Sequence, residues 1–294
     1  MITAVDNVSF SIPEGEIVGY IGSNGAGKST TLKCLSGILV PTKGHIEVAG
    51  LVPHRHRSAT ARNIGVVFGQ KSQLWWDVAP RATFEFLRVI YDIPFEHYRK
   101  QLMLLEELLE LGEFIDVPVR QLSLGQRMRA DLAAALLHDP PILFLDEPTI
   151  GMDFESRERF CTFLSKINRE KGVTILLATH NLEEINKLAS RILIIDRGRL
   201  IYEGTSTDLW GRYAPFRSII LEFSKEVNHL QFPNGVRLVQ RDGLRWRLQF
   251  PRTMTVKRLL EMIELNSIHD FTVEEPSIED VVRTIYQIKK SHGP

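Results

Sequence analysis

The stretch GSNGAGKST, residues 22–30, decides how the rest of the chain is interpreted. Its first eight residues match the phosphate-loop pattern G-x-x-x-x-G-K-[ST] in full. The apolar run EIVGYI precedes it and apolar residues recur at helical spacing over residues 28–39, so the sequence predicts a strand, the loop and a helix. That order favours a phosphate-binding loop over a glycine-rich turn that carries a lysine by chance.

The residues of this loop have separable predicted roles. Glycines let the backbone curl so that successive N–H groups point at phosphate oxygens, and the N-terminus of the helix adds a partial positive charge. Lys28 would reach the β- and γ-phosphates of a nucleotide, and the Ser29 hydroxyl would be a ligand of Mg²⁺. The predicted nucleotide-binding residues of the loop are Gly22, Ser23, Asn24, Gly25, Ala26, Gly27, Lys28, Ser29 and Thr30.

The composition bounds the size and class of the protein. With 294 residues, 44% of them hydrophobic, the chain is long enough for one large and one small domain. Lys and Arg total 36 and Asp and Glu total 36, so there is no net charge to gather nucleic acid or an anionic bilayer. No window approaches the roughly 18 apolar residues of a membrane span, and the first residues do not resemble a signal peptide. We therefore expect a soluble, cytoplasmic chain that reaches a membrane only through a partner.

Several short apolar runs predict an α/β core. The runs ILFLD (residues 142–146), VTILLATH (173–180) and RILIIDRG (191–198) are typical of central strands that helices bury on both faces. The stretches GHIEVAG (44–50) and NIGVVFGQ (63–70) predict two more strands that end at glycine turns.

Two segments differ from this core. Residues 81–140 lack strand character, and LMLLEELLELG places leucines at helical spacing, which predicts an all-helical insert. Further on, LRWRLQF (244–250) alternates strictly after an Asp242-Gly243 turn, which predicts a hairpin. A helix (256–265), a strand (271–274) and a last helix that opens with the capping box Ser277-x-x-Asp280 follow, so residues 216–294 are predicted to form a small α+β domain.

Two adjacent carboxylates end the run ILFLD. The carboxyl end of a central parallel strand is where an open α/β sheet binds its ligand. Asp146 would hold Mg²⁺ through a water, and Glu147 would act as the general base that polarises an attacking water. A negative helix cap before Pro148 is the structural alternative, but it accounts for only one of the two carboxylates.

A histidine and a glutamine follow two other predicted strands. His180 ends VTILLATH, and beside a phosphate loop and paired carboxylates it is expected to contact the γ-phosphate and to orient the attacking water. By itself a histidine there is more often a structural residue. Gln70 ends NIGVVFGQ, and by itself it would be a loop residue.

The stretch LSLGQRMRADLAAALLHDP, residues 122–140, predicts a helix with Ser123 as its N-cap. An apolar stripe of Met128, Leu132, Ala135 and Leu136 explains the helix, but it does not explain Gly125 and Gln126 so early in it. Here the sequence closely resembles the ATP-binding cassette (ABC) family of transport ATPases. The resemblance rests on GSNGAGKST, Gln70, LSLGQ, LFLDEPT, the Asp of GMD and His180, in family order, and covers about residues 1–212.

The resemblance implies a fold and a set of roles. The fold would be a P-loop NTPase cassette, a RecA-like mixed sheet with a helical subdomain at about residues 76–140. The cofactors would be ATP and Mg²⁺. Two cassettes would pack head to tail, so that the signature segment LSLGQ (residues 122–126) closes over the γ-phosphate bound by the other chain. The implied roles are Ser123, Gly125 and Gln126 as nucleotide contacts, Gln70 as a catalytic residue that senses and binds Mg²⁺, and Asp153 as part of a loop that couples the two sites.

The chain departs from the family pattern at two places. The signature segment reads LSLGQ where LSGGQ is commonest, and we expect activity to survive because the Leu124 side chain need not face the phosphate. The family also stacks adenine on an aromatic residue a little over twenty residues before the phosphate loop, and none of the first nine residues is aromatic. Either the reading frame begins further upstream, or adenine is held weakly.

The resemblance also suggests partners. Trp75 and Trp76 would line a groove for a cytoplasmic helix of a membrane permease, with ordinary packing under the helical insert as an equal alternative. The tail EEPSIEDVVRTIY and the stretch IGVVFGQKSQLWWD resemble cassettes of small exporter permeases, most of all those of viologen exporters, which would place the chain at the cytoplasmic face of the cell membrane.

Three other functions are the alternatives: an importer subunit, a soluble cassette of DNA repair or translation, and a regulator that binds ATP without turnover. The zero net charge argues against a nucleic-acid partner.

Overall fold

The structure is a computed structural model that describes residues 3–69, 71–227, 232–262, 268–276 and 278–291. The chain divides into two compact units, Met1–Thr205 and Ser206–Pro294. The helix that begins at Ser206 thus belongs to the second unit, whereas the sequence placed residues up to 212 in the cassette. No helix within the described ranges is both long and apolar enough to span a bilayer.

A six-stranded sheet forms the centre of the first unit. Its strands are β1 (Ile17–Ile21), β2 (Ile64–Phe68), β3 (Ile142–Asp146), β4 (Thr174–Thr179), β5 (Arg191–Asp196) and β6 (Arg199–Gly204), in the order β2-β3-β4-β1-β5-β6. All neighbours are parallel except β6, which returns antiparallel to β5. The aliphatic runs lie in the middle of the sheet and are buried, which confirms the predicted α/β class.

Helices cover this sheet and form the insert. They are α1 (Lys28–Leu35), α2 (Arg57–Asn63), α3 (Pro80–Ile90), α4 (Phe95–Leu109), α5 (Leu124–Leu136), α6 (Phe154–Lys171) and α7 (Leu182–Leu188), with a 3₁₀ turn at Val119–Gln121. From α3 to α5 the chain has no strand within its described part, as the leucine spacing predicted. Val18, Tyr20, Leu32, Phe144 and Leu193 are among the buried residues of the core.

Two local predictions were wrong. The strand expected at residues 44–50 is absent among the described residues apart from one bridge between Val48 and Leu51, because Gly44, Ala49 and Gly50 have φ values of 94°, 50° and 74°, which an extended strand does not allow. The helix after the phosphate loop ends at Leu35 rather than Leu39. There the chain turns at Gly37, whose φ is 75° and where a Cβ would lie 2.7 Å from the Pro53 carbonyl oxygen.

The second unit is an antiparallel sheet with helices. Its elements are α8 (Ser206–Tyr213), β7 (Phe216–Phe223), β8 (Arg237–Asp242), β9 (Arg245–Pro251), α9 (Val256–Met262), β10 (Ile268–Glu274) and α10 (Ile278–Ser291), with the strand order β10-β7-β9-β8. Trp246, Leu248 and Phe250 of β9 are buried, as the alternation of apolar and polar residues predicted. Gly243 turns the predicted hairpin with a φ of 54°. The expected end of α9 at residues 263–265 and the capping residue Ser277 lie outside the described residues.

Candidate functional site

Strand register brings the predicted site residues to one edge of the sheet. Ile21 pairs with Thr179, and Asp146 pairs with Ala178, so β1, β3 and β4 end at the same level. The phosphate loop leaves the end of β1, the two carboxylates leave β3, and His180 leaves β4. Parallel strands therefore place residues far apart in sequence around one crevice, as expected for an open α/β sheet.

The phosphate loop needs its glycines. A Cβ on Gly22 would lie 2.4 Å from the Ile195 carbonyl oxygen. Gly27 has a φ of 112°, and a Cβ there would lie 2.6 Å from the Ala4 carbonyl oxygen. Side chains at these two positions would displace the loop from β5 and from the N-terminal segment, so the tight path of the backbone explains the residue type.

Lys28 is held inside this loop. Its side chain is buried, and Nζ donates to the carbonyl oxygens of Gly22 at 2.6 Å and Ser23 at 3.3 Å. The ammonium also lies 3.1 Å from Glu147 Oε1 in an ion pair. The lysine therefore sits at the N-terminus of α1, where the helix end and the loop amides favour an anion.

Glu147 contacts the phosphate-loop lysine and one other predicted catalytic residue, His180. Its Oε1 pairs with Lys28, and its Oε2 lies 2.8 Å from Nδ1 of His180, whose side chain is half exposed. The Glu147 backbone has a φ of 52°, a left-handed conformation that is uncommon for a residue with a side chain. Its N–H donates to the Ala178 carbonyl oxygen at 2.8 Å, which fixes the start of the β3–α6 loop against β4.

The segment that leads to Gln70 lies against the same carboxylates. Gly69 donates its N–H to the Asp146 carbonyl oxygen at 2.7 Å, and a Cβ on Gly69 would lie only 2.1 Å from the Glu147 carbonyl oxygen. Glycine is therefore the residue that lets the two backbones meet. Gln70 itself, predicted as catalytic and as a Mg²⁺ ligand, lies outside the described residues.

Asp146 and Ser29 form the predicted metal-binding pair. Asp146 is buried, and its Oδ1 has no hydrogen-bond partner within the described part of the chain. Burial raises the pKa of Asp146, the neighbouring Glu147 charge raises it further, and a hydrogen bond with the Ser29 side chain opposes this. A cation would offset the burial cost. A hydroxyl and one carboxylate fit Mg²⁺, which keeps waters and phosphate oxygens as its other ligands.

The signature segment caps its own helix. Ser123 is the N-cap of α5, with its Oγ accepting from the Gln126 N–H at 3.2 Å while Gln126 Oε1 accepts from the Ser123 N–H at 2.9 Å. This capping box gives Gln126 a structural role that the sequence interpretation did not recognise. Both hydrogen bonds are exposed, and no described hydrogen bond joins this segment to the phosphate loop of the same chain.

The loop before α6 packs beside the signature segment. A Cβ on Gly151, whose φ is 74°, would lie 2.3 Å from Leu124 Cδ2, so the Leu124 side chain lies against this loop. A Cβ on Gly125 would meet Ser156 Oγ at 3.4 Å. Asp153 is the N-cap of α6, where it accepts from the Ser156 N–H and hydroxyl, each at 2.8 Å, and these bonds lower the pKa of Asp153. The cap is a role that the sequence interpretation had not given it.

Two buried acidic residues were missed. Asp131 lies within the apolar stripe of α5, where its Oδ1 accepts from Ser72 Oγ and from the Gln73 N–H, both at 2.9 Å. Burial raises the pKa of Asp131 to about 6, and these hydrogen bonds oppose the rise. Glu184 is buried in α7. An acidic residue inside an apolar helical stripe was the available sequence signal for Asp131, because an unpaired buried carboxylate is costly.

A phosphate loop beside paired carboxylates, all at the carboxyl ends of neighbouring parallel strands, defines a P-loop nucleoside triphosphatase. Residues 5–150 match the family model described as ABC transporter. The methionine import ATP-binding protein MetN of Geobacillus kaustophilus (strain HTA426) is 35% identical over 251 residues, 80% of this chain and 72% of MetN. The linearmycin resistance ATP-binding protein LnrL of Bacillus subtilis (strain 168) is 35% identical over 210 residues, 71% of this chain and 67% of LnrL.

A solved structure agrees with these relatives. The ATP-binding cassette MJ0796, a dimer in a post-hydrolysis state bound to ADP and Pi, has a TM-score of 0.63 and 30% sequence identity, and the match covers 69% of this chain and 91% of MJ0796. The chain belongs to the ABC transporter ATP-binding proteins, as the motifs predicted. It is an ATP-binding and ATP-hydrolysing cassette of that family.

Proposed function

We propose that Glu147 is the general base of ATP hydrolysis in this cassette, and that Lys28 and His180 act on the phosphates beside it. The observation that carries the proposal is the Glu147 carboxylate, which lies 3.1 Å from Lys28 Nζ and 2.8 Å from His180 Nδ1. A carboxylate at the crevice between a phosphate-binding lysine and a half-exposed histidine is suited to accept a proton from an attacking water.

Each partner has a distinct part. Lys28 would leave the carbonyl oxygens of Gly22 and Ser23 and neutralise the β- and γ-phosphates. His180 contacts Glu147 through Nδ1, and its other ring nitrogen would contact a γ-phosphate oxygen, so that the ring would align the base with the phosphate.

Mg²⁺ is proposed at Ser29 and Asp146. The unpaired Oδ1 of Asp146 and the nearby Ser29 hydroxyl support this assignment, and Gln70 is the third proposed ligand. When bound, Mg²⁺ would supply positive charge that offsets the charge developing on the phosphates.

We also propose that a second cassette completes the site. The exposed signature segment offers Ser123, Gly125 and Gln126 at the N-terminus of α5, a location that favours a phosphate. Asp153 begins α6 beside Gly125, so it lies at the same surface. The dimeric state of MJ0796 with ADP and Pi supports a head-to-tail pair in which each chain contacts the nucleotide of the other.

A membrane permease is the proposed partner of this pair. Trp75 and Trp76 are 48% and 57% exposed, and Trp75 packs on Phe86 with ring centroids 4.6 Å apart. Ile90 on the same helix as Phe86 is also exposed. Exposed aromatic and aliphatic residues together support docking of an apolar helix, and would hold the chain at the cytoplasmic face of the membrane.

Export is the proposed direction, of the type that serves small exporter permeases. The tail EEPSIEDVVRTIY and the resistance protein LnrL support it. Import is the second candidate, because MetN, a methionine import protein, is equally identical over a longer alignment. Sealed vesicles that contain the chain and its co-purified permease would separate the two directions, since the compartment in which substrate accumulates differs.

The test of the catalytic proposal is phosphate release by the purified chain. We expect Glu147→Gln to lower turnover roughly 10² to 10⁴-fold, the contribution of a positioned general base, while ATP affinity is retained. Glu170→Gln, a change at an exposed glutamate on α6, is the matched control and should leave turnover unchanged. Turnover that survives in Glu147→Gln would exclude this residue as the base.

A further inference from the structure

Glu184 is a buried carboxylate for which the proposed chemistry has no use. Only 2% of the residue is exposed. Its Oε1 accepts from Thr149 Oγ1 at 2.6 Å and from Asn181 Nδ2 at 3.2 Å, while its Oε2 accepts from Thr179 Oγ1 at 3.4 Å. The guanidinium of Arg157 approaches Oε1 at 3.7 Å. Burial raises the pKa of Glu184, and the bonds from Thr149 and Thr179 and the charge of Arg157 oppose the rise.

The partners of Glu184 flank the two catalytic side chains. Thr149 follows Glu147 by two positions in the β3–α6 loop. Thr179 and Asn181 stand on either side of His180 in the β4–α7 loop, and the Asn181 N–H donates to Thr179 Oγ1 at 3.0 Å. One carboxylate therefore receives hydrogen bonds from both loops that form the Glu147–His180 contact.

This arrangement matters because the Glu147–His180 distance is set by two separate loops. The backbone bond from Glu147 to Ala178 fixes where the first loop begins, but Thr149 lies beyond it and Asn181 lies beyond the end of β4. Among the contacts described, Glu184 is the group that accepts a side-chain hydrogen bond from each loop beyond these backbone attachments, from Thr149 in one and from Asn181 in the other. Side chains whose positions are fixed by supporting hydrogen bonds hold reacting groups more tightly than loops alone.

We propose that Glu184 is a positioning residue that keeps the Glu147 and His180 loops in register for hydrolysis. It acts through Thr149 and Asn181 and does not touch the nucleotide. The inference rests on the proposed roles of Glu147 and His180.

The test removes one of the hydroxyl groups that donate to Glu184, while Asn181 and Thr179 still donate to its carboxylate. Thr149→Val keeps the shape of a buried side chain but cannot donate to Glu184, and Thr149→Ser keeps the donor. We expect Thr149→Val to lower kcat roughly tenfold to a hundredfold, as small misplacements of reacting groups do, with the Kd for ATP changed less than about twofold. Thr149→Ser should retain turnover within about threefold of the unchanged chain.

A second pair of variants guards against a purely structural effect. Glu184→Gln retains an oxygen that accepts from Thr149, so its kcat should fall less than that of Thr149→Val. Ile185→Val removes one methylene group where α7 packs against Gly19, so it should lower Tm without lowering kcat. A folded Thr149→Val with normal kcat would overturn the inference, and so would equal losses of kcat in Thr149→Val, Thr149→Ser and Ile185→Val.

The two proposals fail in different ways. If Glu147→Gln also retains turnover, the assignment of the base is wrong and the role of Glu184 falls with it. If Glu147→Gln is inactive while Thr149→Val is normal, only the positioning role is wrong.

Discussion

The phosphate loop and the signature segment, the two proposed halves of a nucleotide site, are organised in opposite ways. Lys28 is 5% exposed and is hydrogen-bonded within its loop and ion-paired with Glu147. The signature segment is exposed, and the hydrogen bonds of Ser123 and Gln126 satisfy only their own helix. The phosphate loop is organised by contacts within its own chain, whereas the signature segment is exposed and is proposed to contact a second chain. Variants of each half should therefore fail differently.

The largest expected effect lies in the buried half. Lys28→Ala should weaken ATP binding by roughly 2 to 5 kcal/mol, on the order of 30-fold to several thousandfold, because it removes the buried cation that would pair with the phosphates. Titration with a fluorescent ATP analogue measures this. Lys43→Ala, at an exposed lysine, is the control and should bind normally. Unchanged affinity in Lys28→Ala would mean that this loop is not the phosphate site.

An intermediate effect is expected where α5, the helix of the signature segment, contacts the loop that contains Ser72 and Gln73. Asp131 on α5 has a pKa of about 6 in the folded chain against an ordinary value of 3.8, so the folded state binds its proton more tightly than the unfolded state. Stability from this group is therefore complete below pH 3.8 and is lost as the pH rises to about 6. The full difference is roughly 3 kcal/mol.

Asp131→Asn isolates that titration. The amide oxygen can still accept from Ser72 and Gln73, so the fold is retained while the ionisable group is gone. Urea unfolding between pH 4 and 7 should show a smaller decline in unfolding free energy with pH for Asp131→Asn than for the unchanged chain. Parallel profiles for the two chains would assign the pH dependence to other groups.

The smallest expected effect lies in the exposed half. Ser123→Ala removes the N-cap of α5, which should lower the unfolding free energy by about 1 kcal/mol. The affinity of dilute, monomeric chain for ATP should stay the same. Glu147→Gln, which cannot hydrolyse the bound ATP, is expected to form an ATP-dependent dimer on size exclusion, and this dimer should be lost in Glu147→Gln/Ser123→Ala. Ser123→Thr keeps the capping hydroxyl and serves as the control. Loss of ATP affinity in the dilute Ser123→Ala chain would contradict the division between the two halves.

The phosphate loop, the central strands and the helical insert could be predicted because each depends on short-range pattern. A glycine-rich loop, an aliphatic run and leucines at helical spacing each specify local structure. The carboxylates and His180 were placed at one edge because parallel strands end together. Their direct contact through Glu147 was not predictable, since it depends on the register of β3 against β4 and on a left-handed residue.

The misses share a different cause. Residues 44–50 have the composition of a strand, but the positive φ values of Gly44, Ala49 and Gly50 exclude one, and composition does not report φ. The strand β7 went unpredicted although it is central to the second sheet. Asp131 and Glu184 were passed over because a carboxylate in sequence is usually a surface residue. Only the fold shows which hydroxyls and amides surround it.

Because Gly69 has no side chain, a movement of β2 can be passed directly to the β3–α6 loop. Because this residue meets Glu147 main chain to main chain, no rotamer lies between them to absorb a displacement. A shift of the strand end at Phe68 would therefore be transmitted directly to the main chain of Glu147. Even the single methyl group of Gly69→Ala should push these two strand ends apart, because the space between Gly69 and Glu147 admits nothing larger than the glycine hydrogen.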